Sequence, residues 1–133
     1  MKKNIVKFCS VCIMLIVSMF IVACGGDIVV DYDLASRGAT FTQVTVAEMQ
    51  SKPSGYLGKT IKIRGKHYSS GDTYHYISGY DETNCCNWSM EIRLKDDTMT
   101  FPDTNKNIVV IGDYKSKKIN SKTTYFLEVI EFV

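Results

Sequence analysis

The most reactive side chains of this sequence are two adjacent cysteines, Cys85 and Cys86. Soft thiolates favour Zn²⁺ or Cu(I), and two neighbouring thiols can also close into a vicinal disulfide. His67, His75 and Asp81 complete a set of metal ligands only if the chain folds them toward the cysteines. The chemistry to be considered is therefore metal binding or thiol redox, and it depends on the fold.

Three interpretations of the cysteine pair stay open: a structural or inert pair, a redox pair or vicinal disulfide, and a metal site. A structural zinc site uses four ligands, and its cysteines are commonly spaced by two to four residues. Adjacent residues on an extended strand point to opposite faces, so Cys85 and Cys86 can converge only in a loop. We favour the inert or structural pair and expect no metal cofactor. His67 and His75 are more typical of ordinary surface residues than of ligands.

Cys24 ends the segment Ile21-Val22-Ala23-Cys24, which resembles the lipobox of bacterial lipoproteins. A lipobox is cut before its cysteine, and the cysteine is lipidated. Three lysines precede residue 8, and residues 8–23 are almost wholly apolar, as in a signal peptide. The alternative is an uncleaved membrane-spanning helix, but about 16 apolar residues are short against the roughly 20 that a span needs.

This motif predicts the organisation of the chain. We expect a cleaved lipoprotein signal peptide over residues 1–23, a lipidated N-terminus and tether over 24–39, and a domain over 40–133. Two acyl chains anchor a protein stably, whereas one gives only marginal binding. The predicted partner is thus the cell membrane, through the covalent lipid at Cys24, with the domain on the extracytoplasmic face. Cys9 and Cys12 lie in the discarded segment, which leaves no distant cysteine to staple the fold.

Charge and length restrict the possible partners. Three of the 16 Lys and Arg residues lie before residue 24, so 13 remain against 14 Asp and Glu residues. A nearly neutral domain lacks the basic face that nucleic-acid binding requires, and we expect no nucleic-acid partner. The 110 residues from Cys24 onward suit one small domain, which we expect to be monomeric.

Alternating apolar and polar residues predict five β-strands. In the first strand Ile61 and Ile63 point one way, while Lys62 and Arg64 point the other. The polar segments between the strands predict a hairpin turn, the loop that carries the cysteine pair, a longer connection and a charged turn. The predicted strands are residues 60–68, 73–80, 88–94, 107–112 and 123–133, and the segments between them are 69–72, 81–87, 95–106 and 115–121.

A short helix is predicted before these strands. Thr45 and Glu48 have the spacing of a capping box, in which each side chain bonds the other's backbone N–H at a helix N-terminus. The residue before Pro53 disfavours the helical conformation, so the helix ends near Ser51. Residues 41–44 are predicted as a short strand, and residues 27–33 as linker or a short edge strand.

The order of these elements predicts a mainly β fold. Five strands of this size bury a face and remove their edges by closing into a small barrel. We expect a five-stranded OB-like barrel with one short N-terminal helix, preceded by the cleaved signal peptide. An SH3-like barrel and a small open sheet with the helix on one face are the alternatives.

Aromatic residues surround the first hairpin and the third strand. Tyr74, Tyr76, Tyr80 and Trp88 are candidates for a ligand face, because OB domains bind oligosaccharides and oligonucleotides on the corresponding strands and loops. Aromatic faces stack on sugars or bases. The alternative is that many of these rings fill the core.

The chain resembles small bacterial lipoproteins with an OB-type domain and no assigned activity, which are common in Firmicutes. The resemblance covers nearly all of the chain after the lipobox and depends on three segments. It implies an extracytoplasmic address and an OB fold, but no reaction. The matching segments are residues 30–34, residues 49–59 with the Tyr56-Leu57-Gly58-Lys59 motif followed by Ile61-Lys62 and Gly65, and Cys85-Cys86 followed by Met90-Glu91-Ile92.

No motif of this sequence indicates an enzyme. It has no Gly-rich phosphate loop, no nucleophile elbow and no His-Glu zinc helix. We therefore expect a non-enzymatic, membrane-anchored binding module for a protein or glycan partner at the cell surface. The alternative is a thiol redox or metal-handling lipoprotein that acts through Cys85 and Cys86.

Overall fold

The computed structural model describes residues 25–133. It contains one α-helix, one 3₁₀ turn at Pro53–Gly55 and six β-strands. The predicted mainly β class and all five predicted strands are confirmed, and the predicted edge strand near residue 33 is a sixth. In chain order the elements are β1 (Tyr32–Asp33), α1 (Ala39–Ser51), β2 (Thr60–Ser70), β3 (Tyr74–Tyr80), β4 (Asn87–Leu94), β5 (Asn107–Ile119) and β6 (Lys122–Phe132).

The six strands form one sheet in the order β1-β2-β3-β4-β6-β5, and β2 pairs with β5 as well. Each of the five long strands therefore has two long neighbours. The pairs β2–β3, β3–β4, β2–β5 and β5–β6 are antiparallel, whereas β4 runs parallel to β6. Within residues 25–133, only β1 has a strand on one side alone, and that strand is β2.

The predicted alternation in β2 is confirmed and explains where the core lies. Ile61 and Ile63 are completely buried, while Arg64 is exposed. Burying one branched aliphatic side chain contributes about 1.5–3 kcal/mol, so the inner faces of the strands supply much of the driving force. The buried cluster combines residues from every long strand, from α1 and from the segment before it: Leu34, Val46, Met49, Ile61, Ile63, Ile77, Trp88, Met90, Ile92, Ile108, Val110, Tyr114, Leu127 and Val129.

Helix α1 begins seven residues earlier than predicted, since its N-cap is Gly38 and not Thr45. The helix starts at Ala39 after the N-cap Gly38 and has no side-chain cap. Thr45 lies inside the helix, where its hydroxyl donates a 2.9 Å hydrogen bond to the carbonyl of Phe41. The predicted capping box and the predicted strand over residues 41–44 are therefore wrong, because the buried positions of the helix continue back past Thr45 to Thr42 at helical spacing. The predicted end at Ser51 is confirmed.

The other end of α1 is fixed by two tyrosine hydroxyl hydrogen bonds, one of them buried. Tyr114 on β5 is completely buried, and its hydroxyl donates a 3.0 Å hydrogen bond to the carbonyl of Met49. Burial raises the pKa of Tyr114 to about 12, with the nearby Tyr125 adding to the effect. The hydroxyl of Tyr56, which follows the 3₁₀ turn, donates to Glu48. These bonds join the last turns of the helix to β5 and to the loop before β2.

The segment before the helix packs on the sheet. Strand β1 pairs in parallel with β2, and Leu34 is 3% exposed in the core. The N–H of Asp31 donates to the carbonyl of Thr60, and the carboxylate of Asp31 accepts from the N–H of Thr60. Part of the segment that the sequence assigns to the tether, from Asp31 onward, thus contacts the folded domain.

The hairpin of β5 and β6 is longer than predicted. Residues 115–119, predicted as part of a charged turn, continue β5 and pair with residues 122–126. The turn itself is only Asn120 and Ser121, both with positive φ, as in the two-residue turns that match the twist of antiparallel strands. The sequence did not predict this extension of the strand, because its side chains, among them several lysines, are exposed on both faces and show no apolar–polar alternation.

No helix in residues 25–133 is long and apolar enough to cross a membrane. The predicted signal peptide, Cys9, Cys12 and the predicted lipidation site Cys24 lie outside the described residues.

Candidate functional site

The β3–β4 loop brings the two cysteine thiols together. Cys85 and Cys86 are exposed and reduced, with their sulfur atoms 3.5 Å apart. The carboxylate of Asp81 organises the loop, because it accepts the N–H groups of both cysteines and the hydroxyl of Thr83. The N–H of Asp81 in turn donates to the carbonyl of Cys86. The loop thus meets the condition set above, that adjacent cysteines converge only where the chain is not extended.

Local hydrogen bonds shift the pKa values of Asp81 and Cys86 in this loop. Desolvation raises the pKa of Asp81, but the bonds from Thr83, Cys86 and Cys85 outweigh it and hold the pKa below its usual value. The pKa of the Cys86 thiol is raised, first by its hydrogen bond to the sulfur of Cys85 and then by the charge of that neighbour. Asp81 is therefore an ionised acceptor that holds the loop, and the raised pKa favours the protonated form of the Cys86 thiol.

His67 and His75 form a hydrogen-bonded pair on adjacent strands. Nε2 of His67 lies 3.0 Å from Nδ1 of His75, and Nδ1 of His67 lies 3.2 Å from the carbonyl oxygen of Asp103. His67 is completely buried, contrary to the predicted surface position, and His75 is half-buried. The ring of Phe101 stacks on His75 with centroids 3.6 Å apart. The pair is thus a packed element on the inner face of β2 and β3.

The partners of this histidine pair determine its protons. A carbonyl oxygen only accepts, so Nδ1 of His67 carries a hydrogen. When His67 is neutral, its Nε2 accepts the N–H from Nδ1 of His75. Two cationic rings would instead place two N–H groups 3.0 Å apart. Desolvation lowers the pKa of His75, and the neighbouring His67 lowers it further, while Asp72 has the opposite effect.

The structure separates the predicted metal or redox residues into two groups. Cys85 and Cys86 follow the C-terminal end of β3, whereas His75 lies near its start and pairs with the region of β2 that contains His67. Five residues of strand span about 17 Å, which is too far for one ion. In residues 25–133, no group of three or more His, Cys, Asp or Glu side chains is arranged to hold a metal.

The predicted ligand face is also divided. Tyr74, Tyr76 and Tyr80 alternate with the buried Ile77 and lie on the outer face of β3. Tyr74 and Tyr80 are 53% and 58% exposed. Trp88 is directly opposite Gly79 on the inner face and is 7% exposed. The three tyrosines therefore remain on one accessible surface, and Trp88 belongs to the core.

Two glycines explain how the indole of Trp88 fits. A Cβ at Gly79 would lie 2.7 Å from the Trp88 ring, and one at Gly65 would lie 3.0 Å from it. The indole thus occupies the space into which a side chain at Gly65 or Gly79 would project. Trp88 also lies at the base of a cleft of about 200 Å³, whose rim includes Arg37, Arg64 and Tyr80.

The outer face of β2, β3 and β4 has further residues that sequence patterns did not single out as partners. Tyr68 is opposite Tyr76, and their rings stack with centroids 5.1 Å apart. Glu91 is opposite Tyr76 on the other side, and its carboxylate accepts a 2.6 Å bond from Nε of Arg93. The guanidinium of Arg93 lies 4.1 Å from the ring centroid of Phe126. We call Tyr68, Tyr76, Glu91 and Arg93 the outer platform.

The outer platform could be found only by knowing the strand register. The alternation of apolar and polar residues in β4 places Glu91 and Arg93 on the face opposite Met90 and Ile92, and the sequence shows Tyr68 and Tyr76 on their strands. The sequence does not show that Tyr68, Tyr76 and Glu91 stand in one row across three strands. A signal was present in the short turn between β2 and β3, which has three residues, because turn length restricts the register of a hairpin.

Acidification is expected to destabilise the folded domain between pH 7.5 and 5.5. The pKa of His75 is lower in the folded state than the value near 6.5 of an unfolded chain, so the unfolded state binds more protons as the pH falls. Stability is then complete above about pH 7 and decreases through this window. The measurement is the urea midpoint of unfolding at several pH values.

The matched control for this prediction is His75→Gln, which keeps a donor for His67 but does not titrate. The carboxylates with lowered pKa, those of Asp81, Asp96 and Asp103, lose their ionised form only below this window. The change in midpoint from pH 7.5 to 5.5 should therefore be smaller in the variant than in the wild type. An equal change in both proteins would assign the acid sensitivity to other groups.

Comparison with known proteins adds no family assignment to this geometry. A scan against protein-family models finds no match, and a search of curated proteins finds none either.

Proposed function

We propose that the chain is a lipid-anchored extracytoplasmic lipoprotein whose β domain binds a protein or glycan partner at the cell surface without catalysing a reaction. The proposed location is supported by the lipobox-like residues 21–24 and by the basic and apolar segments before them. The balance of 13 basic against 14 acidic residues after residue 23 favours a partner other than nucleic acid. We propose a monomer held at the membrane by the lipid on Cys24.

We infer that the five long strands close into an OB-like barrel. The inference is supported by the ring of pairings β2-β3-β4-β6-β5, in which β5 returns to β2. Closing a sheet removes its edges, and five-stranded OB domains are small barrels of this kind. This topology is compatible with the resemblance to small OB-type lipoproteins through the Tyr56-to-Lys59 motif and the cysteine pair.

The single observation that carries the binding proposal is the outer platform. The rings of Tyr68 and Tyr76 are stacked, and the angle between their planes is only 14°. Glu91 and Arg93 lie beside them with fixed geometry, since they bond each other and Arg93 also stacks on Phe126. Tyr76 lies on the second of the five long strands, and Glu91 and Arg93 lie on the third, which are the strands that OB domains use for ligands.

The chemistry of the platform suits a sugar ring or a peptide with polar groups. An aromatic face covers the apolar face of a sugar, while a carboxylate accepts and a guanidinium donates hydrogen bonds at its edge. The hydroxyl of Tyr76 stays protonated, because burial and then the charge of Glu91 raise its pKa. Exposed Tyr74 extends the same surface toward the β2–β3 turn. These groups bind and orient a ligand, and the proposal assigns them no catalytic step.

Removing the platform rings is expected to weaken retention on cell-wall glycan. The double change Tyr68→Ala and Tyr76→Ala should reduce co-sedimentation of the full chain with purified insoluble cell wall by about tenfold or more. Tenfold corresponds to about 1.4 kcal/mol, which lies within the range of about 1–3 kcal/mol measured for rings stacked on bases. The measurement is the bound fraction against wall concentration.

The matched control is Phe41→Ala, which removes an exposed aromatic ring from α1 instead of the platform. Retention should be unchanged in that variant. Cell wall stripped of protein distinguishes the two partner classes, since binding that survives stripping is binding to glycan. Wild-type retention equal to that of the double variant on both preparations would contradict the proposed site.

A second function is supported by one observation, the 3.5 Å separation of the Cys85 and Cys86 sulfur atoms. We propose thiol redox or metal handling at this pair as the alternative activity of the same lipoprotein. The two functions use different surfaces, because the pair lies in the β3–β4 loop and the platform lies on the strands.

A further inference from the structure

The cysteine loop presents two exposed thiols at a fixed separation, beside an ionised carboxylate that holds the backbone. We propose that Cys85 and Cys86 form a chelating site for a trivalent arsenical with one organic substituent. This inference rests on the second function proposed above, and it names one class of ligand for that function. Three features of the loop support it: the distance between the sulfurs, the number of donors and the order of the loop.

The distance between the sulfurs fits one bridging atom better than a direct bond. A disulfide needs its sulfurs about 2.05 Å apart, so the observed 3.5 Å would have to shorten by roughly 1.5 Å. A pyramidal centre with bond angles near a right angle, and bonds as long as those of zinc to sulfur, spans roughly 3.4 Å. A linear two-coordinate ion with such bonds spans roughly 4.6 Å. The pair therefore matches the pyramidal centre with little movement.

The number of donors also favours a three-coordinate ligand. A structural zinc ion uses four protein ligands, and residues 25–133 bring no third His, Cys, Asp or Glu into a ligand group with the pair. His67 and His75 bond each other on the inner face instead. A monosubstituted trivalent arsenic atom already has one bond to carbon, so two thiolates complete its coordination.

Local hydrogen bonds hold the backbone of the loop in one conformation. Oδ1 of Asp81 accepts the N–H of Cys85 at 3.0 Å and that of Cys86 at 3.4 Å. Asn84 takes a positive φ of 56°, and its N–H donates to the carbonyl of Asp81. Ordering a binding loop in advance reduces the entropy lost on binding. Both thiols are exposed, so a small arsenical reaches them without a change in the fold.

The reaction is a condensation without electron transfer. Phenylarsine oxide reacts with the two thiols so that two As–S bonds form, both S–H bonds break, and the oxygen leaves as water with the two protons. Arsenic stays trivalent throughout. Because the two sulfurs lie 3.5 Å apart, the attack of one thiol on arsenic leaves the second thiol within reach, and the second thiol then closes the chelate.

The test uses the lipidated protein, extracted from membranes in detergent, reduced and then freed of reductant. One equivalent of phenylarsine oxide should give a single adduct by intact mass, with the loss of one water. The adduct should survive an excess of 2-mercaptoethanol and be removed by 2,3-dimercaptopropanol. Cys85→Ser and Cys86→Ser should each bind at least about 100-fold more weakly, because each loses the chelating second thiol.

Three further variants locate the site and test how the loop is held. The double variant Cys85→Ser/Cys86→Ser reports any uptake outside the pair and should form no adduct that survives 2-mercaptoethanol. Asp81→Ala keeps both thiols but removes the acceptor of the loop, and it should bind more weakly than the wild type. Asp97→Ala changes an exposed aspartate in another loop and should bind like the wild type.

The outcomes separate this inference from the function on which it rests. Wild-type protein that forms no adduct, or single-serine variants that bind as tightly as the wild type, would overturn the arsenical site. In that case, conversion by glutathione disulfide to a product two protons lighter would leave the redox form of the second function standing. If neither product forms, both the inference and the redox form of the second function are wrong.

Discussion

Replacing Cys24 with alanine is expected to abolish fatty-acid labelling of the chain and to leave residues 1–23 attached. The sulfur of Cys24 is the proposed acylation site, and alanine offers no nucleophile in its place. The effect is therefore complete loss and not a partial reduction. The measurement is metabolic labelling with a clickable fatty acid, followed by gel fluorescence and by the mass of the N-terminal peptide.

Other cysteines of the chain provide the controls for this experiment. Cys12→Ala changes a cysteine inside the predicted signal peptide, and Cys85→Ala changes one in the folded domain. Both variants should be labelled like the wild type. Labelling of Cys24→Ala equal to that of the wild type would contradict the lipoprotein proposal and the location that depends on it.

Trp88→Ala is expected to lower the free energy of unfolding by about 3–5 kcal/mol, the usual cost of truncating a buried large aromatic side chain. Gly65 and Gly79 leave the space that the indole fills, so its loss would leave a cavity bordered by backbone. Since small domains have a total stability of about 5–15 kcal/mol, much of the stability would be lost. Urea unfolding followed by circular dichroism is the measurement, because the variant lacks the only tryptophan.

The matched control is Tyr80→Ala, at a neighbouring aromatic position of the same cleft. Tyr80 is 58% exposed on the outer face of β3, and surface substitutions of this kind change stability by about 0.5 kcal/mol or less. A large loss for Tyr80→Ala with little change for Trp88→Ala would reverse the assignment of the two rings to surface and core.

The strands could be predicted from the sequence because their signal is local. Alternation at Ile61, Lys62, Ile63 and Arg64 requires only that one face be buried, and the structure buries that face. The start of α1 was missed for the opposite reason. Thr45 and Glu48 match a cap by spacing, but Leu34 packs in the core and leads the chain into the helix at Ala39. Tertiary contacts therefore set the helix start, and a local motif cannot show them.

The candidate sites were harder to predict because they depend on register. The sequence indicated that Cys85 and Cys86 share a loop, and the local bonds to Asp81 agree with that. It did not indicate that His67 would meet His75, which requires β2 and β3 to pair at one particular offset. The face of Trp88 depends likewise on its alignment with Gly79, since a shift by one residue moves every side chain to the other face.

The bonds between Asp31 and Thr60 have a consequence for the height of the domain above the bilayer. They fix the chain seven residues after Cys24, and seven residues reach at most about 25 Å when fully extended. With its lipid in the membrane, the domain would be confined to a thin layer next to the headgroups. A partner would then have to be a component of that layer or extend into it, and a target farther out in the wall would be beyond its reach.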